Sequence, residues 1–113
     1  MVDMEVEDVI EPVSVLEILS TDALRLHSTY YHIRGVQGVF SRNLSAPLTD
    51  RTTQVYASIA EIDNQDNPHL GDAVMTVHDV VPLDGQRVIV RGEVSWPAPL
   101  NVRVNMFFAN QVE

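Results

Sequence analysis

The run Arg87-Val88-Ile89-Val90-Arg91-Gly92-Glu93-Val94-Ser95-Trp96-Pro97-Ala98-Pro99-Leu100-Asn101-Val102-Arg103-Val104-Asn105-Met106-Phe107-Phe108 decides the fold. Side chains in a strand project to alternate sides, so parity assigns faces. Val88, Val90, Val94 and Trp96 fall on one face, with Arg87, Ile89, Arg91, Glu93 and Ser95 on the other. Beyond Pro97-Ala98-Pro99, Leu100, Val102, Val104, Met106 and Phe108 share a face, opposite Asn101, Arg103 and Asn105. Both segments read as half-buried strands. Ahead of them, Ala73–Val81 is β-branched and ends at Asp84-Gly85, a step that suits a hairpin turn. The two breaks predict a three-stranded antiparallel meander.

Upstream the pattern is less regular. Pro12–Leu19 fits a strand better than a short helix, and Ala23–Ile33 is a long extended segment carrying Tyr30 and Tyr31. Gly35 and Gly38 suggest a bulge or a tight reversal into Val39-Phe40. Asn43–Arg51 reads as a polar loop, Thr52–Ile62 as a further strand, and Asp63-Asn64-Gln65-Asp66-Asn67-Pro68 as a turn. The expectation is an all-β antiparallel sandwich of six to eight strands with little helix, the alternative being a small β-barrel.

At 113 residues, with 45% hydrophobic and 20% charged residues, the chain has the composition of one folded domain. Eighteen valines agree with the strand reading. Cysteine is absent, which excludes disulfides and thiolate chemistry. The net charge of −9 without a single lysine is hostile to phosphate backbones and anionic lipid, so neither nucleic acid nor membrane is an expected partner. No apolar run approaches the roughly 18 residues of a spanning helix. The acidic start does not resemble a secretory leader, so the default location is cytoplasmic or within an assembly.

That charge is unevenly placed. Residues 1–22 hold seven of the sixteen acids and no basic residue. Val2, Met4 and Val6 alternate there with Asp3, Glu5 and Glu7, a period of two that one sheet face can use. Residues 1–11 therefore read as an acidic arm and 12–113 as a single β domain. Arg87, Arg91 and Arg103 all have outward parity and are expected to gather on one face as a dock for acidic segments. Ile89 and Phe107 are apolar residues on otherwise polar faces, as strand-face packing against a partner requires.

Catalytic signatures are sparse. The sequence has no Gly-x-Ser-x-Gly, phosphate-binding loop or zinc-protease histidine pair, and no cofactor is implied. His27 and His32 have opposite parity and cannot chelate one ion together. Tyr30, His32 and Arg34 share a face and, with Tyr56, could line a cavity for proton transfer if the fold encloses one near Trp96 and Phe108. Asp63, Asp66 and Asp72 are oxygen ligands of the type calcium takes, without the alternating order of a dedicated loop. The leading expectation is a non-enzymatic structural or binding module, acting as a homo-oligomer or as a subunit of a larger assembly, with its arm on a neighbouring strand edge. A small β-barrel ligand carrier or cyclase/isomerase-type enzyme, and a carbohydrate-binding sandwich using the Asp63–Asp72 loop, are the alternatives.

Overall fold

A computed structural model describes residues 9–20 and 23–111, without the side chains of 17–19. Nine strands follow one another: β1 (Val9–Ile10), β2 (Ser14–Ser20), β3 (Leu24–Val36), β4 (Gly38–Ser45), β5 (Gln54–Ile62), β6 (Pro68–His69), β7 (Val74–Leu83), β8 (Arg87–Ser95) and β9 (Leu100–Gln111). They form a four-stranded sheet in the order β1-β4-β8-β7 and a five-stranded sheet in the order β2-β3-β9-β5-β6. The chain is an all-β sandwich. Its strand count exceeds the expected range because two-residue β1 and β6 are too short to leave a periodic signal.

The interior is built from matching parities. Val88, Val90 and Val94 of β8 face Val102, Val104, Met106 and Phe108 of β9 across the gap between the sheets, and all are buried. Burying such side chains contributes about 1.5–3 kcal/mol each before entropy is counted. Gly92 belongs to this packing. A Cβ there would lie 2.9 Å from the Thr76 carbonyl oxygen and 3.1 Å from Phe40 Cζ, so only hydrogen fits.

The expected meander is wrong in one respect. β7 and β8 pair as an antiparallel hairpin, turning through Gly85 (φ 89°) and Gln86 (φ 60°). β8 and β9, however, lie in different sheets. Pro97 and Pro99 lack the N–H groups a ladder needs. The chain there crosses from one layer to the other. β3 and β4 cross at the same level, through Gly35 (φ 66°) and Gly38 (φ 68°), and the register shifts between Ile33 and Val36. With β3 on β9 and β4 on β8, a single long ribbon is folded over both layers. The polar loop expected from Asn43 starts later, because Asn43, Leu44 and Ser45 complete β4 and the first two are buried.

Two buried polar residues tie the layers together. The Tyr31 hydroxyl donates to the Ser45 carbonyl at 2.7 Å, and burial pushes its pKa up. His27 stacks on Phe108 at 4.5 Å, and its Nε2 lies 3.1 Å from the Pro47 carbonyl. A carbonyl can only accept, so Nε2 carries the proton. His27 is thus a core histidine.

Candidate functional site

The residues singled out from sequence divide between two outer faces. On the five-stranded sheet, the antiparallel registers of β3 and β5 against β9 set Ser28, Phe107 and Tyr56 in one row. Tyr30, Asn105 and Ser58 form the next row, and His32, Arg103 and Ala60 the third. Tyr30, Tyr56, Arg103 and Phe107 therefore come together on one surface. Tyr56 is 63% exposed and Phe107 37%. A shallow groove of about 380 Å³ runs between them, with Asn105, Ser58 and Arg103 in its lining.

Its polar groups are already ordered. The Arg103 guanidinium lies 3.7 Å from the Tyr30 ring centroid, and its Nε donates to Asn105 Oδ1 at 2.6 Å. Asn105 Nδ2 in turn donates to Ser58 Oγ at 3.3 Å. Stacking and the hydrogen bond together restrict a side chain that would otherwise be mobile. No carboxylate lies in the three rows, although acids outnumber arginines sixteen to seven in the chain.

Arg34 leaves this group at the top of β3. It forms a two-pronged pair with Asp66, at 2.6 and 3.0 Å, and His32 Nδ1 stands 3.8 Å from the same carboxylate. The hydrogen bond from Arg34 holds the Asp66 carboxyl below its usual pKa. Asp63 is likewise lowered, because it accepts the backbone N–H groups of Asn67 and Gln65. Two of the three acids named as calcium candidates, Asp63 and Asp66, thus serve the loop and Arg34. Among the described residues, Asp63, Asp66 and Asp72 do not converge as a metal-ligating group.

The proton-transfer arrangement is not assembled either. Tyr30, His32, Arg34 and Tyr56 sit on the outside of the sheet, and the interior beneath is filled by Tyr31 and Phe108. Trp96 and Phe108 do not line a common pocket. Phe108 is fully buried, whereas Trp96, 39% exposed, sits past the end of β8 in a groove with Leu70 and His69. Strand β8 has ended at Ser95, so the parity that placed Trp96 inside no longer applies.

The arginine face expected from parity does not form. Arg87, Ile89 and Arg91 lie on the outer face of the four-stranded sheet and Arg103 and Phe107 on that of the other. Outward parity is common to both sheets and does not say which one a strand joins. Arg91 stands 3.6 Å from Asp79, and His78 3.4 Å from Glu93, so that face has the mixed charge of a solvated surface. Val2, Met4 and Val6 lie outside the described residues; the end of the arm, Val9–Ile10, pairs in parallel with Asn43 and Leu44 of β4.

A larger groove, about 890 Å³, opens at the end of the sandwich beside Leu48, Asp50 and Asn110. Its polar groups bond to one another: Asn110 to Thr53 and the Leu48 carbonyl, Gln86 to the Leu48 N–H, and Asp50 to Thr52. It is a braced corner. Sequence reading missed Ser58 and Asn105 as site residues. Their parity was legible, but only the β5–β9 register puts them beside Tyr30.

No family model matches the chain, and no curated protein does. Among solved structures the chain is similar to the P. aeruginosa R1 pyocin fiber, C-terminal residues 323–701, with a TM-score of 0.48 and 10% identity. That match covers 88% of this chain and 28% of the fiber chain, and a likeness of this size carries no functional argument.

Proposed function

We propose that the chain is a non-enzymatic structural or binding module that works as a homo-oligomer or as a subunit of a larger assembly, with its acidic arm laid along the edge of β4. One observation carries this reading. β1 pairs with β4 only at Asn43 and Leu44, and among the described residues nothing pairs with that edge from Gly38 to Arg42. An open edge is a row of unmade hydrogen bonds and a template for another strand. The alternating Val2, Met4 and Val6 supply a strand of suitable period. Extending the parallel register backwards would set Val6 beside Phe40 and Met4 beside Gly38, with Glu7 on the side of Arg91. The side chains that could do proton chemistry are outside a filled interior, which agrees with a binding role.

The test is deletion of residues 1–8, followed by light scattering and amide exchange. The full chain is expected to show a mass above 12.6 kDa and protected amides from Gly38 to Arg42. The deletion should lower both. Unchanged protection would overturn the arm pairing, and a full chain that stays monomeric at high concentration would overturn self-assembly.

A further inference from the structure

We propose that the groove on the outer face of the five-stranded sheet binds a pyranose sugar bearing a carboxylate, its ring stacked on Tyr56 and Phe107 and its carboxylate held by Arg103. This site is independent of the arm, which meets the other sheet. Tyr56 and Phe107 are direct cross-strand neighbours, a relation that brings Cβ atoms to about 5 Å. Two neighbouring exposed rings offer an apolar surface to the C–H face of a sugar.

The polar groups stand where hydroxyls would fall. The Asn105 row is two residues along β9 from the Phe107 row, roughly 7 Å, about the span of one ring. Ser58 Oγ accepts from Asn105, so its own hydrogen is left to donate outward. Arg103 is drawn into the same row by Tyr30 and Asn105. Its Nε is engaged and no carboxylate faces it among the described residues. Its terminal N–H groups are therefore the natural fork for an incoming carboxylate. The groove's 380 Å³ falls within the range of roughly 300–1,000 Å³ typical of small-molecule sites. The three rows carry no acid of their own, and Asp66, beside His32 at the end of the third row, is already paired with Arg34.

The experiment is an amide-shift titration of the full chain with methyl β-D-glucuronide and with methyl β-D-glucoside, each to tens of millimolar. Shifts should cluster on β5 and β9 around Tyr56, Ser58, Asn105 and Phe107, with the glucuronide at least fivefold tighter. Tyr56→Ala should weaken both at least tenfold without changing Tm, and Arg103→Gln should bring the glucuronide down to the glucoside. Absence of shifts with either probe, or shifts elsewhere, overturns the site. Equal affinity for the two probes overturns the role of Arg103. Concentration-dependent shifts on this face without sugar, with a matching rise in mass, assign it instead to a second copy of the chain.

Discussion

Phe107 and Phe108 are adjacent on β9 and open onto two different regions. Behind Phe108 lies the interior, where His27 stacks on it and the four-stranded sheet closes over it. Before Phe107 lies the outer surface, where Tyr56, Asn105 and Arg103 surround a groove that no described residue covers. Tyr31 and Tyr30 repeat the contrast on β3, one fully buried and bonded to Ser45, the other outside beneath a guanidinium. The sheet thus carries aromatic residues on both faces, and among the described residues one face has a second layer. The outer rings add little to the core: Tyr30 packs against the Arg103 guanidinium and the His32 ring, and the exposed parts of Tyr56 and Phe107 are open to what they meet.

Exchanging the faces breaks this contrast most severely at β9. Phe108→Ala should cost about 3–5 kcal/mol in urea unfolding, whereas Phe107→Ala, which loses a half-exposed cross-strand contact with Tyr56, should cost about 1 kcal/mol or less. Comparable losses would mean that the outer face is also structural. On β3, Tyr31→Phe strands the Ser45 carbonyl and should cost about 1–3 kcal/mol, against about 0.5 or less for Tyr30→Phe.

A smaller effect should appear with pH. The Asp63 and Asp66 carboxyls have lowered folded-state pKa values, so the unfolded chain takes up their protons first. Their stabilisation is present above the ordinary carboxylate range and is lost as pH falls through it towards the folded-state values. Melting followed from neutral to acid pH should show this decline, and Asp66→Asn should flatten it. Smallest of all, a double-mutant cycle on Arg91 and Asp79 of the four-stranded outer face should give under about 1 kcal/mol, as exposed pairs do.

Much of this was legible beforehand, for a definite reason. Period-two alternation reports which way a side chain points, and it placed Val88 to Val94 and Val102 to Phe108 correctly on buried faces. It also set Tyr30, His32 and Arg34 together on the face opposite Tyr31, without saying that this face is the outer one. Alternation is silent about which strands pair. Hence Pro97-Ala98-Pro99 read as a hairpin when it is a crossing between layers, and Arg103 was grouped with Arg87 and Arg91 although a whole sandwich separates them. The same limit hid the groove, because Tyr56 meets Phe107 only through a pairing between residues fifty-one apart in sequence. For Asp63 and Asp66 composition offers oxygen ligands but does not record who bonds whom: their oxygens are taken by loop amides and by Arg34.

The folded ribbon has a consequence for how the molecule is made. β9 lies in the middle of its sheet, flanked by β3 and β5, yet it is the last of the nine strands to be synthesised. While the ribosome is still adding Leu100 to Gln111, β3 and β5 have no common neighbour. The domain therefore closes only after release of its final strand, by contacts such as Leu24 with Gln111 that span nearly the whole chain. Until β9 is in place, β3 and β5 each keep an unpaired edge, the condition in which strands find wrong partners.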